Sequence, residues 1–596
     1  MLHLGIAQFK PRKGAYAQNL VRLGEIFRTI AESKEPLDVL VLSETALTGY
    51  FVEGGVRELA RTAEELHDDL SRLHREAGAP PFDIVLGFYE LWDTRLHNSA
   101  LVAGLGGTTA GIRHVHRKIF LPTYGVFDEE RFVEPGTSVS AFDCRWGRAA
   151  AIICEDAWHS LVPTIAALDG AQLIAVVAAS PARGLLPGPV DGDGEAEVRP
   201  TSLVRWDRTI QGIAAEHGVY VALAQLVGFE GGKGFPGGSL VAGPSGEILA
   251  RAPVFEDHLL RVTLDLDEIP RVRAEYPLLS DLQSRLPRLL ENLGGQPGDR
   301  GRGRGDGRAK GVPLPPQPAR LGTATDPLAI DPELTRRWLE EFLREELTRR
   351  RGFTRAVIAL SGGVDSAVVA YLAARALGPE QVTALLLPYK TSSPDSTRHA
   401  RLVVDQLGIG TETIDITAAV DGLIGRLPDE PNAHRIGNLC ARMRMIALFD
   451  CSASHGALPI GTGNKSERLL GYFTWHADDT APINPVGDLY KTQVRALARH
   501  LGVPDEIVTK PPSADLVAGQ TDEGDFGISY GKADVILHWL LTGHSRASIA
   551  KLGFTSDEVE LVARRLDSTH WKRKLPTVAM MSGTAIGEFY LRPVDY

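Results

Sequence analysis

Ser361-Gly362-Gly363-Val364-Asp365-Ser366 is the stretch on which the second half of this chain turns. It follows an apolar, strand-like run at 356–360 and precedes a helix-like run at 367–377, closed by Gly378. Strand, glycine turn and helix together aim backbone N–H groups and a helix N-terminus at an anion. Two glycines let the backbone approach that anion closely, because no Cβ intervenes. Ser361 and Ser366 add hydroxyl donors, and Asp365 can hold a metal ion beside phosphates. A Gly-Gly turn of this kind needs no ligand, but here the turn chemistry agrees with both flanks.

No Lys follows the second glycine, so the lysine of kinase-type phosphate loops is absent. The six residues instead resemble the loop of the ATP pyrophosphatases. That resemblance implies cleavage between the α and β phosphates and adenylation of a substrate, without saying which.

At 596 residues the chain has room for two to four domains. Hydrophobic residues make up 43% and charged ones 23%, as in soluble globular proteins. A formal net charge of −11 argues against nucleic acid as a partner. No apolar run has the length of a membrane span, so no membrane association is expected. The first eight residues read as a strand and not as a signal peptide. Cys144, Cys154, Cys440 and Cys451 form neither a disulfide scaffold nor a zinc-ligand spacing. These features lead to the expectation of a cytoplasmic protein.

Between Gly294 and Gly322 lie nine glycines and five prolines, with Arg and Gly alternating through 301–305. Such a segment has too little apolar surface to offset its ordering entropy and reads as a flexible linker. An RNA-binding Arg-Gly tract is the other reading, but interleaved aromatics are missing. Ahead of it, strand-like runs at 38–42, 84–88, 149–153, 173–178 and 220–224 alternate with helical stretches at 17–31 and 203–217. That pattern predicts a layered α/β domain. Behind it, helices at 332–350 and 366–376 flank the strand 356–360, and a second strand-like run at 382–387 follows. This is a βαβ unit and predicts a parallel sheet.

In the first half, Cys154 stands between the apolar run 149–153 and Glu155-Asp156-Ala157-Trp158. A cysteine beside an apolar run is more often packing than chemistry. Two other charged residues change that reading. Glu44 ends a strand-like stretch that begins at Val39, and Lys118 precedes Ile119-Phe120-Leu121-Pro122-Thr123-Tyr124. Glu, Lys and Cys in this order, with these flanks, resemble the nitrilase/amidase superfamily and its glutamine-hydrolysing branch. The resemblance implies an αββα sandwich, with Glu44 as general base, Lys118 as oxyanion stabiliser and Cys154 as nucleophile. It also implies that Tyr124, Ser180 and Arg183 hold the glutamine, with Glu129 near the same pocket. Ser43 departs from the pattern, where a proline is expected before the base.

In the second half, five segments accompany the phosphate loop. They are Asn438 to Met445, Gly461 to Glu467, Tyr472-Phe473-Thr474-Trp475 leading to Asp478-Asp479, Lys510 to Leu516 before Thr521-Asp522-Glu523, and His570 to Pro576. Each alone could be a capped loop or a solvated charge cluster. In this order they resemble NAD synthetase, and with the first half the chain is similar to glutamine-dependent NAD synthetases over 1–276 and 326–596. The segment 277–325, a connecting helix and the linker, is the joint. Cys440 departs from the family, which usually has Gln there.

The resemblance implies a Rossmann-like, doubly wound parallel sheet and a homo-oligomer. It also implies the substrates ATP, deamido-NAD and L-glutamine or ammonia, with Mg²⁺ on Asp365 and Glu467. Ser361, Gly362, Gly363, Val364, Asp365, Ser366 and Thr462 would contact ATP, with Lys491 and Ser513 as further phosphate contacts. Asn438, Arg442, Glu467, Tyr472, Phe473, Thr474, Trp475 and Lys572 would contact deamido-NAD. Two other classes share parts of this pattern: another amidase-fed adenylating enzyme, and a nucleotide-binding protein without catalysis. The segments around Asn438, Tyr472 and Lys572 separate the first, and intact Glu44, Lys118, Cys154 and Asp365 argue against the second.

Overall fold

The computed structural model describes residues 1–33, 35–52, 55–124, 127–182, 199–294, 326–512 and 521–573. The linker beyond Gly294, Arg183 and Ser513 therefore lie outside the described residues. The chain divides into two compact units, one holding the described residues up to 294 and the other those from 326.

Among its described residues the first unit has fourteen strands in chain order: β1 (Leu2–Gln8), β2 (Val39–Leu42), β3 (Phe82–Trp92), β4 (Arg95–Leu105), β5 (Gly111–Arg117), β6 (Phe142–Cys144), β7 (Gly147–Ile153), β8 (Leu173–Ala178), β9 (Tyr220–Gln225), β10 (Val227–Glu230), β11 (Lys233–Pro236), β12 (Leu240–Ala242), β13 (Ile248–Arg251) and β14 (His258–Leu264). They form two six-stranded sheets, β14-β1-β2-β3-β4-β5 and β13-β12-β9-β8-β7-β6, and a hairpin of β10 with β11. The central strands β1, β2 and β3 run parallel, as do β7, β8 and β9.

Alternation along β2 explains why the strands read as unbroken apolar runs. Val39 and Val41 point into a core shared with Ile152, Val176 and Leu223 of the other sheet. Leu40 and Leu42 point the opposite way, into a core with Leu23 and Phe27 of helix Tyr16–Ser33 and Leu66 and Leu70 of helix Ala63–Ala77. Each such side chain removed from water contributes about 1.5–3 kcal/mol, so both faces hold their cover and the strand cannot slip by one residue. Helices Leu161–Leu168, Thr201–His217 and Leu278–Gly294 pack together over the second sheet. The result is an αββα sandwich.

The second unit has a parallel sheet of β15 (Ala356–Ala359), β16 (Val382–Leu386), β17 (Gly410–Thr413) and β18 (Leu458–Pro459). Its order is β17-β16-β15-β18, so the chain winds outward one way from β15 and then returns to its other side. Helices cover both faces. Ala356 and Ile358 pack with helix Val364–Leu377, while Val357 packs with Cys440 and Cys451 of helix Ala433–His455. Buried in that cluster, Cys440 serves here as a small apolar side chain. A doubly wound sheet binds ligands outside the carboxyl ends of its strands at the point where the winding reverses. That point lies between β15 and β18, whose carboxyl ends lead into the Ser361 loop and the Gly461 turn. Among the described residues, no helix is long and apolar enough to cross a membrane.

Candidate active sites

Glu44 and Lys118 are fully buried, and Cys154 is 8% exposed. Each stands just past the end of a strand: β2, β5 and β7 respectively. Beyond β2 the chain crosses β3 at Gly87, where a Cβ would lie 2.5 Å from Glu44 Cα. Only a glycine admits that crossing. Gly87 N donates to Ser43 O at 3.1 Å, so backbone bonding holds the turn that carries Ser43 in place of proline. Thr45 and Cys154 both take left-handed backbone conformations, with φ of 49° and 41°. Such strain costs of order 1–3 kcal/mol per residue and gathers at functional sites.

Lys118 Nζ donates to Glu44 Oε1 at 2.8 Å and to Glu129 Oε1 at 2.9 Å. Asn98 Nδ2 donates to the same two oxygens at 2.8 and 3.1 Å, and Ala179 N donates to Glu44 Oε2 at 2.8 Å. Glu129 therefore belongs to the centre of the cluster. Asn98 is a member that the sequence reading missed; nothing in its flanks on β4 sets it apart. Burial, opposed by the Lys118 charge, pushes the Glu44 carboxyl up to about 7. Burial likewise pushes the Cys154 thiol well up, helped by Glu44 and opposed by Lys118. A thiol so raised needs a neighbouring base to become a nucleophile, and Glu44 is near enough to act on its charge.

The residues read as glutamine contacts lie around this cluster. Tyr124, 54% exposed, donates its hydroxyl to both Glu155 carboxylate oxygens, at 3.0 and 2.9 Å. Ser180, next to Ala179, donates its N–H to Gln225 Oε1 at 3.4 Å.

In the second unit a cavity of about 1020 Å³ opens at the winding reversal. Ser361, Gly363, Val364, Asp365 and Ser366 line it, with Thr462, Glu467 and Lys491 from the facing side. Asn438, Arg442, Tyr472, Phe473, Thr474, Trp475 and Lys572 line its remainder. Gly362 supports the loop from behind, with φ of 77° and a Cβ position only 2.1 Å from Ser396 O. Ser361 Oγ and Ser366 Oγ lie 3.0 Å apart across the loop.

Three charges stand at its centre. Lys491 Nζ lies 2.5 Å from Asp365 Oδ2 and 3.1 Å from Glu467 Oε1. Burial lowers the Lys491 pKa, but the two carboxylates outweigh it and hold the ammonium above its usual range. Burial pushes Glu467 up to about 7 against the pull of Lys491. Asn464, which the sequence reading passed over, ties the carboxylates together. It caps helix Lys465–Leu470 by accepting from Glu467 N at 3.0 Å and donates to Asp365 Oδ1 at 2.9 Å. Asp522 lines the same cavity, buried and held by the Tyr530 hydroxyl at 3.0 Å.

The Tyr472–Trp475 turn is fixed from two directions. Thr474 Oγ1 donates to Asn438 Oδ1 at 3.0 Å, and Arg442 Nη2 donates to Trp475 O at 3.3 Å. Lys572 Nζ donates to Gly471 O and Phe473 O at 2.9 and 3.0 Å. The turn thus presents aromatic rings and backbone groups to the cavity.

A family model described as NAD synthase matches residues 336–576. The NH(3)-dependent NAD(+) synthetase of Chlorobium phaeobacteroides is 48% identical over 250 residues, covering 42% of this chain and 90% of that protein. The chain belongs to the NAD synthase family. A second NAD synthase relative, the NH(3)-dependent NAD(+) synthetase of Fusobacterium nucleatum, is 46% identical over 242 residues, covering 40% of this chain and 93% of its own. A model described as carbon-nitrogen hydrolase matches residues 3–274, so a nitrilase-type unit precedes the NAD synthase unit. The solved glutamine-dependent NAD+ synthetase of Acinetobacter baumannii, in complex with ADP, has the same fold. It aligns over 98% of this chain and 96% of its own, with 22% identity and a TM-score of 0.67.

Proposed function

We propose that the chain is a glutamine-hydrolysing NAD⁺ synthase, with domains at 1–276 and 326–596 joined by 277–325. The observation that carries this reading is the pairing, in one chain, of a buried Glu44–Lys118–Cys154 cluster with a phosphate loop at the winding reversal of a doubly wound sheet.

In the first site Glu44 takes the thiol proton as Cys154 sulfur bonds to the amide carbon of glutamine. Lys118 and nearby N–H donors stabilise the developing oxyanion. The carbonyl re-forms as the C–N bond breaks, and Glu44 returns the proton to the departing ammonia. Water, deprotonated by Glu44, then attacks the glutamyl thioester. Glutamate leaves and the thiol is restored.

In the second site the nicotinate carboxylate of deamido-NAD attacks the α-phosphorus of ATP, and pyrophosphate leaves. Ammonia attacks the resulting acyl-adenylate, AMP leaves, and the amide of NAD⁺ remains. Activation is needed because a carboxylate oxygen alone is a poor leaving group. The loop N–H groups and Ser361 and Ser366 hydroxyls grip the departing pyrophosphate. Asp365 and Glu467 are hard oxygen donors that fit Mg²⁺, which when bound neutralises the phosphates. Lys491 adds a fixed positive charge there. The Tyr472–Trp475 turn and Lys572 position the dinucleotide.

A homo-oligomer acting in the cytoplasm completes the reading. Incubation with ATP, deamido-NAD and glutamine tests it: NAD⁺, AMP and pyrophosphate are expected, and ADP as product overturns it.

A further inference from the structure

Asp156 follows Cys154 by two residues and has no exposed surface, and its carboxylate bonds to neither Cys154 nor Glu44 but to four N–H groups. Its Oδ1 accepts from Ile119 N and Phe120 N, both at 3.0 Å. Its Oδ2 accepts from His116 Nε2 at 2.9 Å and from Ile153 N at 3.2 Å. These donors come from two stretches of chain. His116, Ile119 and Phe120 surround Lys118, and Ile153 immediately precedes Cys154. One carboxylate therefore fastens the segment bearing the oxyanion lysine to the turn bearing the nucleophile. It does so beside the left-handed residue Cys154, where the backbone has most need of restraint.

The donor arithmetic makes a carboxylate necessary. All four partners are N–H groups, and a carboxylate offers acceptors on both oxygens. An asparagine of the same shape offers one acceptor oxygen and one N–H₂, which would face two of those donors. His116 Nδ1 is buried without a hydrogen-bond partner, which fits a ring whose Nε2 carries the hydrogen toward Asp156.

We infer that Asp156 is the positioning residue that sets the placement of Lys118 relative to Cys154, with His116 as its support. This rests on the reading of Cys154 as a glutamine-attacking nucleophile. A misplacement of about 1 Å costs a rate factor of about 100.

The test uses the full-length chain with Asp156→Asn, His116→Gln and His116→Leu, measured by three readouts. Asp156→Asn is expected to lower glutaminase kcat about 100-fold with KM within about threefold of the parent. Ammonia-fed NAD⁺ formation should persist, showing that the chain is folded. His116→Gln retains an N–H donor and should keep more glutaminase activity than His116→Leu. The alkylation rate of Cys154 by iodoacetamide should fall in the order parent, His116→Leu, Asp156→Asn. A parent inactive on glutamine sinks the proposed function, yet its alkylation series still decides the role of Asp156. Asp156→Asn matching the parent in kcat and alkylation overturns the inference, as does a loss confined to KM.

Discussion

Lys491 Nζ sits 2.5 Å from Asp365 Oδ2, closing a contact between residues 126 positions apart. The same ammonium reaches Glu467 Oε1 at 3.1 Å, so one buried cation holds two carboxylates at the mouth of the phosphate loop. Lys491→Met leaves those carboxylates without the cation they share. Breaking a buried pair from one side costs about 3–5 kcal/mol. The expected outcome is a lower melting temperature of the NAD synthase unit, read by calorimetry, and loss of NAD⁺ formation with glutamine and ammonia alike. A variant with parental stability and turnover contradicts this assignment.

The first site carries a pH dependence of definite sign. Glu44, raised by burial to about 7, acts as base only when it has lost its proton, so glutaminase kcat/KM should rise with pH through about 7. The Asn98 hydrogen bond favours the charged carboxylate and lowers that value. Asn98→Ala should therefore move the acidic limb to higher pH, and Glu44→Gln should abolish the limb with a rate loss of about 10²–10⁴. A limb that moves to lower pH in Asn98→Ala overturns the role of Glu44.

Gly362→Ala tests the loop geometry. At φ of 77° a side chain is strained by about 1–2 kcal/mol, and its Cβ would stand 2.1 Å from the Ser396 carbonyl oxygen. The loop must shift, so ATP binding measured by calorimetry should weaken and ammonia-fed synthesis should fall. Unchanged ATP affinity would show that the loop does not cradle the nucleotide.

Much of this was legible in the chain itself, for physical reasons. Doubly buried strands such as 149–153 and 173–178 leave continuous apolar runs, and the glycine turn at 361–366 carries its own chemistry. Glu44, Lys118 and Cys154 are recognisable because their order and flanks resemble those of the nitrilase/amidase superfamily. Asn98, Asn464 and Asp156 were not legible. Their roles depend on partners brought from elsewhere in the fold: Glu44 for Asn98, Asp365 for Asn464, and the Lys118 segment for Asp156. An asparagine within a strand or at a helix cap looks the same in sequence whatever lies across from it. The family resemblance implies a phosphate contact for Lys491, and its grip on two carboxylates follows only from tertiary packing.

The central claim is that two separate sites share one ammonia molecule, and Cys154→Ala tests it most directly. NAD⁺ formation by this variant is measured first with glutamine and then with ammonium as the nitrogen source. The account predicts no synthesis from glutamine and parental synthesis from ammonium. Parental synthesis from glutamine, or equal loss with both sources in a folded protein, contradicts it.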